Sequence, residues 1–480
     1  MNMEELGLLG LTDVRKLCDK EIITVTPESL EEHFKSPEFA LAKKWAQTNG
    51  FTGKKGQVLI VPNARGQISK VFAGVSNPDD MYEYAAIRSK LPQGTYRFNK
   101  DMTPEQMTIA ALGWALDAYD YKRLAEISGD EDYNGAVLSV DASADAQAIE
   151  RDVVATCFVR SLVNMPANQL TTDELAKIAS NLLNKTAANS AFNASAKITK
   201  GDDLLSQDYP LIHTVGRASD HKPQLVDFVW GDERHPKLTL VGKGIVFDTG
   251  GLGIKPGNSM RDMKKDMGGA AHVLALAKMI MDANLPVRLR VMVPIAENSI
   301  NGNAYRPGDV MQSRVSKTSG KSVAIENEHT DAEGRLVMAD CLIDAADEKP
   351  DMLIDFATLT GAQRVAHGLE IGGIMGTDKQ MLRDLEDMGE ENGDWLASLP
   401  LHERYRPALS SPFADCKSGG GQAGTITAAL FLKQFTKSAK DWLHFDISAW
   451  NPASKPGRPY GGEALGLRTM YQYLEKKYRP

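Results

Sequence analysis

Apolar residues recur along this chain with two different spacings, and each spacing occupies its own stretches. Short apolar runs typical of strands occur at 58–64, 69–75, 238–242, 288–296 and 352–359. Apolar residues three or four positions apart, typical of helices, occupy 104–122, 145–165, 268–283 and 334–347. Because the two kinds of segment alternate after residue 166, the pattern predicts an α/β domain with a mainly parallel or mixed sheet flanked by helices.

Capping residues and prolines divide this pattern into two parts. Thr103 before Pro104 and the run TTDE at 171–174 are helix-start signals. The helical pattern from Asp145 to Met165 ends at Pro166, and we place the domain boundary on it. The prediction is a smaller N-terminal α/β domain (1–142), a linking helix (143–165) and a larger domain (166–480). The small polar run 186–197 is predicted to be a surface loop.

Length and composition agree with a two-domain globular protein. A chain of 480 residues is too long for one hydrophobic core, and 42% hydrophobic with 25% charged residues is an ordinary globular composition. The longest apolar stretches are interrupted by Lys278 and Asp282, so no membrane span is predicted. A net charge of −8 gives no electrostatic basis for binding a nucleic acid backbone. We therefore expect a small molecule or a peptide as the ligand.

The amino terminus and the cysteines indicate a cytoplasmic protein. The first residues, MNMEELGLLGLTDVRKL, place two glutamates where a secretory signal needs positive charge. Four cysteines lie far apart and form no CxxC pair: Cys18, Cys157, Cys341 and Cys416. Widely spaced cysteines of this kind are typical of reduced thiols.

Charged residues are concentrated in two segments of the larger domain. The run HTDAEGRL at 329–336 contains Asp331, Glu333 and Arg335. The segment 242–269 supplies four more charged groups, Lys243, Asp248, Lys255 and Asp266. A single residue of these types is usually a solvated surface charge. Four carboxylates can gather at one place only if cations neutralise them, so the simplest interpretation is a site for two divalent metal ions.

The residues around these charges support a site rather than a charged surface. Asp248 is followed by Thr249, Gly250 and Gly251, a turn that allows the backbone to approach a ligand. Glu333 lies just before a predicted helix, where backbone N–H groups favour an anion. Oxygen ligands suit magnesium, manganese or zinc and do not select among them. Two such ions would activate water for hydrolysis.

These motifs resemble the leucyl aminopeptidase (cytosol aminopeptidase) family of two-metal exopeptidases. The family signature NTDAEGRL is present here as HTDAEGRL. Further similar blocks lie between Leu162 and Trp450: LVNMPANQLTTDELA, GKGIVFDTGGLGIKP, MKKDMGGAA, NGNAYRPGD, ATLTGA, GGGQAGTITAALFLKQF and WLHFDISAW. The first ~140 residues match only in general character. The resemblance implies that residues 166–480 form a catalytic metallopeptidase domain.

The resemblance also implies the metal ligands. Lys243, Asp248, Asp266 and Glu333 would hold a tightly bound ion, and Asp248, Asp331 and Glu333 a more exchangeable one. Asp248 and Glu333 would bridge the two ions. The ions would be manganese or zinc, with magnesium or cobalt as alternatives. The free amino group of a peptide would bind near Asp266, which would restrict cleavage to the amino end.

Other residues receive roles from the same resemblance. Lys255 would stabilise the oxyanion of the tetrahedral intermediate. Arg335 would hold a bicarbonate ion that acts as the general base for a bridging water. Met263 would line the pocket of the first side chain, where its apolar surface suits leucine and other apolar residues. The backbone of Leu359 and Gly361 would bind the substrate.

The predicted function is therefore a metal-dependent leucyl aminopeptidase that removes N-terminal residues from short peptides. The resemblance implies a homohexamer built from two trimers. One alternative is a non-catalytic or DNA-binding scaffold on the same fold, and another is a different two-metal hydrolase such as a phosphoesterase. All seven charged residues of the motifs are present, and this favours the enzyme.

His329 is a departure from the family signature. It stands where the family has asparagine, in a segment about two residues longer than the usual form. We interpret the difference as a harmless loop variation, because a single histidine is usually packed or solvated. The sharper hypothesis is that His329 alters metal preference or substrate range.

Overall fold

The computed structural model describes residues 9–13, 20–99, 101–125, 135–190, 192 and 194–479. Cys18 and most of the amino-terminal segment used to argue against secretion lie outside these residues. The chain forms two compact units. The first unit runs to Cys157 and includes Glu391–Gly393 and Ala453–Tyr460, and the second contains the remaining residues from Phe158 onward. The two-domain α/β prediction is confirmed.

The first unit is a six-stranded sheet covered by helices. Its strands are β1 Leu11–Asp13, β2 Lys20–Val25, β3 Val58–Pro62, β4 Ile68–Gly74, β5 Gly94–Phe98 and β6 Ala136–Val140, in the order β1-β6-β5-β2-β4-β3. Among the strand pairs in the described part of this unit, only β3–β4 is antiparallel. The helices are α1 Pro27–His33, α2 Ala40–Asn49, α3 Met81–Arg88, α4 Pro104–Asp117 and α5 Tyr121–Leu124. The core packs around the buried Trp114, whose indole N–H donates to the Ala136 carbonyl at 3.1 Å.

The predicted start and the predicted end of the helix at 104–122 can both be compared with the structure. Thr103 caps α4 by accepting the N–H of Gln106 at 3.2 Å, as its position before Pro104 predicts. The helix ends at Asp117 rather than continuing to residue 122. Asp120 starts a new turn by accepting the N–H of Lys122, and this separates α5 from α4.

The division between the two units falls inside helix α6, Ala146–Asn164, after Cys157. The boundaries at 142 and 165 remain predictions. The next helix, α7 Thr172–Ala188, begins at the expected TTDE run, where the Thr171 hydroxyl accepts the N–H of Glu174 at 3.3 Å. The helix extends to Ala188 and so includes the first residues of the predicted loop 186–197. Positions 191 and 193 of that loop lie outside the described residues.

The second unit contains a nine-stranded mixed sheet. Its strands are β7 Lys197–Lys200, β8 Gln224–Trp230, β9 Lys237–Gly242, β10 Gly244–Asp248, β11 Arg288–Asn298, β14 Met352–Ala357, β15 Gly372–Gly376, β16 Leu396–Ser398 and β18 Asp441–Asp446. The order is β16-β15-β18-β14-β9-β11-β8-β7, with β10 paired to β11. Strands β11, β9, β14 and β18 are parallel, whereas β8 and β15 run antiparallel to their neighbours β11 and β18.

Helices and short strands complete the second unit. The helices after α7 are α8 Asp203–Ser206, α9 Pro210–Gly216, α10 Gly268–Asp282, α11 Glu333–Asp347, α12 Gly361–His367, α13 Lys379–Asn392, α14 Gly424–Lys433 and α15 Leu467–Tyr478. The short strands are β12 Val310–Gln312, β13 Ala324–Glu326, β17 Cys416–Lys417, β19 Trp450–Asn451 and β20 Gly461–Gly462. Among the residues that the structure describes, no helix is both long and apolar enough to cross a membrane.

The parallel strands determine where the charged segments meet. Strands β9 and β14 are paired along their length and end at the same edge of the sheet. Lys243 follows β9, and its N–H donates to the carbonyl of Phe356 near the end of β14 at 3.0 Å. Asp248 ends β10 and pairs in register with Asn298, the last residue of β11. Sites in sheets of this kind form beyond the carboxyl ends of the strands.

Candidate metal centre and substrate cavity

Lys243 lies between two carboxylates at the edge of the sheet. Its Nζ is 2.8 Å from Asp266 and 2.8 Å from Glu333 Oε1, and it donates to the Thr358 carbonyl at 3.1 Å. All three charged side chains are buried. Glu333 is the first residue of α11 and Asp266 precedes α10, so the two helices bring these carboxylates to the end of β9.

A second lysine joins the other two carboxylates. Lys255 Nζ lies 2.7 Å from Asp248 Oδ2 and also contacts Asp331 Oδ1. Asp248 Oδ1 accepts the N–H of Gly250 at 2.8 Å, in a turn where Gly250 has a φ of +85°. Glycine adopts that φ without strain. Asp248 is buried, whereas 34% of the Asp331 side chain is exposed.

The residues present fit a divalent metal ion. Asp248, Asp331 and Glu333 each offer a carboxylate oxygen, and these oxygens all lie within 4.8 Å of one another. Glu333 Oε2 is buried and has no hydrogen-bond partner. A buried carboxylate oxygen without a donor is costly unless a cation approaches it. The donor set is rich in oxygen, which suits manganese, magnesium or zinc.

The ionisation of the cluster shows the same excess of negative charge. Burial, together with the neighbouring Glu333, raises the pKa of Asp248 well above its ordinary value. Burial likewise raises the pKa of Asp266 to about 6, although Lys243 opposes the shift. Burial disfavours the charge on Lys243, but Asp266 and Glu333 outweigh it and raise the pKa of the amine. Two lysines thus do not neutralise four carboxylates, and a divalent ion would.

A cavity of about 260 Å³ opens onto this cluster. Its walls include the five predicted metal ligands together with Lys255, Met263, Leu359 and Gly361. Lys265, Thr358, Thr360, Arg364 and Ile447 also line it. Nine of the ten predicted site residues therefore meet at one cavity.

Arg335 is the tenth predicted residue and is not among the cavity-lining residues. It is half-buried in the first turn of α11 and donates from Nη1 to the Ser418 carbonyl at 2.7 Å. Its Nε has no hydrogen-bond partner. The guanidinium group is thus anchored through Nη1, while its buried Nε has no partner.

Several residues that hold the site were not predicted. Asn298 Nδ2 donates to Asp248 Oδ1 at 2.7 Å and to the Thr330 carbonyl at 3.0 Å, so one amide joins the two segments that carry the predicted metal ligands. Asp446 accepts the N–H groups of Leu359 and Thr360, both at 3.1 Å. Nothing in the local sequence marks either residue, although Asp446 lies in the quoted block WLHFDISAW.

Gly334 allows Lys243 to lie close to α11. A Cβ atom at this position would be 2.5 Å from Lys243 Cε and 2.6 Å from Nζ. These distances are far below van der Waals contact, so a side chain here would displace the lysine.

His329 contacts the backbone of the segment that carries the predicted ligands Asp331 and Glu333. Its Nδ1 accepts the N–H of Asp331 at 3.0 Å. A Cβ atom at Gly253 would lie 2.9 Å from His329 Cε1, so the ring lies against the loop that carries Lys255. The two hypotheses about His329 both remain predictions.

Comparison with known proteins identifies the family. Residues 157–471 match the model of the cytosol aminopeptidase family, catalytic domain, and residues 22–133 match that of the M17 aminopeptidase N-terminal domain. The chain belongs to the cytosol aminopeptidase family. The predicted resemblance is confirmed, and with it the activity of an aminopeptidase.

Individual relatives agree with this membership. Peptidase B of Pectobacterium carotovorum is 39% identical over 342 residues, covering 69% of this chain and 76% of that protein. A probable cytosol aminopeptidase of Aquifex aeolicus is 31% identical and covers 91% of this chain and 90% of its own. The crystal structure of the cytosol aminopeptidase from Coxiella burnetii superimposes with a TM-score of 0.89 at 37% identity, covering 98% and 99% of the two chains. The bottromycin maturation enzyme BotP in complex with Mn gives a TM-score of 0.83 at 28% identity, covering 96% and 100%.

Proposed function

We propose that this aminopeptidase uses two divalent metal ions held by Lys243, Asp248, Asp266, Asp331 and Glu333. The observation that carries the proposal is that carboxylate oxygens of Asp248, Asp331 and Glu333 lie within 4.8 Å of one another. In addition, Glu333 Oε2 is buried and has no hydrogen-bond donor. The alternatives of a scaffold or a phosphoesterase have no comparable support. A scaffold gains nothing from burying uncompensated carboxylates.

We infer that manganese or zinc occupies the site, with magnesium or cobalt as alternatives. The oxygen-rich donor set and the manganese complex of the related BotP support manganese. When bound, two such ions would supply a water of lowered pKa and a Lewis acid for the peptide carbonyl.

The protein's own groups would bind and orient the peptide. Lys255 projects into the cavity and would stabilise negative charge on the carbonyl oxygen, a contribution of roughly 10²–10³ in rate for a single donor. Asp266 would lie near the free amino group. Leu359 and Gly361 line the cavity, and Asp446 accepts the Leu359 N–H and so fixes this backbone segment, which would hold the peptide main chain. Met263 would contact the first side chain and favour leucine and other apolar residues.

Arg335 is proposed to hold bicarbonate as the general base. Its free Nε and its anchored Nη1 support this role, because a fixed guanidinium with an unused donor suits a planar anion. Omitting bicarbonate from metal-loaded enzyme in carbon dioxide-free buffer would lower activity. Adding it back would restore the activity of the wild type and not that of Arg335→Ala.

The assembly and the compartment are also proposals. The homohexamer is implied by the family resemblance alone, whereas a cytoplasmic enzyme that acts on short peptides agrees with the names of the relatives as cytosol aminopeptidases. The described cysteines Cys341 and Cys416 are free thiols and both are buried, as a reducing compartment favours. Light scattering of the metal-loaded protein would measure the number of subunits.

One experiment tests the central proposal. Protein stripped with a chelator is assayed with Leu-Gly amide and leucine p-nitroanilide before and after adding manganese or zinc. We expect metal-dependent release of leucine and no cleavage of N-acetyl-Leu-Gly amide, which lacks the free amino group. Hydrolysis of p-nitrophenyl phosphate, or DNA binding without release of leucine, would instead support one of the alternatives.

A further inference from the structure

Lys265 is a buried lysine in the cavity wall that the proposed mechanism does not use. It belongs to the short 3₁₀ segment Met263–Met267, and only 6% of the residue is exposed. Its Nζ donates to the Ser448 carbonyl at 2.8 Å. One neutral acceptor leaves the ammonium group short of partners, since it carries three donors.

The two other lysines of the cavity show what Lys265 lacks. Lys243 and Lys255 each contact two carboxylates within ion-pair distance. Within the described part of the chain, no carboxylate lies within ion-pair distance of Lys265. Arg364, a second cation, lines the same cavity. Burying a cation without an anion is unfavourable, so a ligand that brings a carboxylate to this wall would be stabilised.

The position of Lys265 connects it to the first residue of a peptide. It follows Met263 by two positions and precedes Asp266, and all three residues line the cavity. In the proposed function, Asp266 lies near the free amino group of the peptide. Met263 contacts the side chain of the first residue, which is attached to the same α-carbon as that amino group. Met263 offers an apolar surface to the methylene groups of the first residue's side chain. Lys265 offers hydrogen-bond donors to a polar group at the end of that side chain.

We propose that Lys265 binds the side-chain carboxylate of an N-terminal glutamate or aspartate. The enzyme thereby prefers these residues to glutamine and asparagine, which have nearly the same shape and no charge. This inference rests on the proposed function and extends the substrate range beyond the apolar residues that Met263 predicts. A charge-assisted hydrogen bond to a buried lysine corresponds to a preference of about tenfold or more.

The first test compares substrates that differ only in charge. Values of kcat/KM are measured with manganese-loaded enzyme for Glu-Gly amide, Gln-Gly amide and Leu-Gly amide, in which the amide removes the carboxylate at the other end. We expect the glutamate substrate to exceed the glutamine substrate by about tenfold or more. In Lys265→Gln, which keeps a donor for the Ser448 carbonyl, the ratio should fall to about one, whereas Lys265→Arg should retain part of it.

Lys264→Gln is the matched control. Lys264 is the adjacent lysine, its Nζ donates to the Asn164 carbonyl, and it is not among the cavity-lining residues. The control should keep the glutamate preference. A preference that survives Lys265→Gln and disappears in Arg364→Gln would overturn the assignment to Lys265.

A binding measurement separates this inference from the proposed function. Calorimetry on the metal-loaded protein compares L-glutamate with L-glutamine, both of which carry the free amino group. Tighter binding of glutamate in the wild type and not in Lys265→Gln supports the inference, even if no peptide is hydrolysed and the proposed function fails. Leucine release with equal kcat/KM for the glutamate and glutamine substrates would overturn the inference and leave the proposed function intact.

Discussion

Helix α11 carries buried acidic residues at both ends, and the two ends differ in how those residues are partnered. At its start, Glu333 has one oxygen bound to Lys243 and one without a hydrogen-bond partner. Towards its end, Asp344 binds Arg314 through Oδ1 at 2.7 Å and Arg290 through Oδ2 at 2.6 Å. Asp340 accepts three backbone N–H groups, those of Leu211, Ile212 and Arg314.

The comparison separates a binding site from a structural network. Both ends place carboxylates in the interior, where each unpartnered oxygen is costly. At the far end every carboxylate oxygen of Asp340 and Asp344 has a donor within the protein, so no negative charge is left without a partner. At the near end the protein leaves part of the charge uncompensated next to a cavity. Incomplete pairing beside a cavity is the property that indicates a ligand.

The largest expected effect is at the near end. Glu333→Gln keeps the shape and removes the charge, so manganese-dependent peptidase activity should fall below detection and metal binding should weaken. The melting temperature of the metal-free protein should not decrease, because the substitution removes an excess buried charge. Activity assays, calorimetry with manganese and thermal unfolding measure these effects.

Glu390→Gln, on the exposed surface of α13, is the control. Full activity in Glu333→Gln would contradict the metal-ligand assignment.

The opposite result is expected at the far end. Asp344→Asn leaves Arg290 and Arg314 without their shared carboxylate, and breaking a buried pair of this kind costs about 3–5 kcal/mol. Chemical denaturation measures the free energy of unfolding. Activity per folded molecule should be retained at a temperature where the variant is folded. Asp387→Asn, an exposed residue of α13, should change stability by less than about 0.5 kcal/mol. Equal stability of the two variants would mean that the network contributes nothing.

A buried histidine extends the comparison to pH. His272 in α10 is fully partnered as a neutral ring, since Nδ1 lies 2.7 Å from the Gly268 carbonyl and Nε2 accepts the N–H of Leu465 at 3.0 Å. Burial lowers the pKa of His272 from 6.5 to about 4. Between these values the unfolded chain binds the proton and the folded chain does not, so the contribution to stability is complete above pH 6.5 and is lost as pH falls to 4.

The shift corresponds to about 3 kcal/mol across that window. His272→Gln should remove this part of the pH dependence, which denaturation at pH 4.5, 5.5 and 6.5 would measure against the wild type. The variant should be less stable than the wild type at pH 6.5, and the difference should narrow towards pH 4.5. A constant difference at all three values would show that His272 does not titrate in this way.

The smallest effect is expected at His329. Asparagine can accept the N–H of Asp331 as the histidine does, because its side chain makes the same kind of turn with the residue two positions on. His329→Asn should therefore change manganese affinity and the substrate profile by no more than about threefold. His329→Ala removes the acceptor and should cost about 1 kcal/mol of stability. A large change in metal preference in His329→Asn would instead support the sharper hypothesis.

The central strands of the second unit were predictable because their residues are apolar on both faces. Strands β9, β11 and β14 appear as mostly apolar runs, each interrupted by one polar residue (Thr239, Arg290 and Asp355), as is typical of buried parallel strands. The strand β15, GGIMG, was not predicted, because glycine gives no strand signal and its place depends on pairing with β18. Strand β10 was not predicted either, because it lies in the segment 242–269, which we interpreted only through its charged residues.

The meeting of the proposed metal ligands at one cavity was predictable for a different reason, which is the density of charge in two short segments. Asn298 was not, because it is fifty residues away from Asp248 along the chain and only the pairing of β10 with β11 brings them together. Lys265 stands beside Lys264 and Asp266, where a lysine normally indicates a solvated position. Its burial is a property of the folded chain alone.

Gly334 also has a consequence for the evolution of the signature. The shortest side chain that could replace it would occupy the volume of the Lys243 methylene groups, so these two positions cannot vary independently. A larger residue at 334 would be tolerated only if the lysine were shortened, and a shorter side chain at 243 would no longer reach both Asp266 and Glu333. Steric exclusion thus couples a residue with no chemistry of its own to the charge balance of the whole centre.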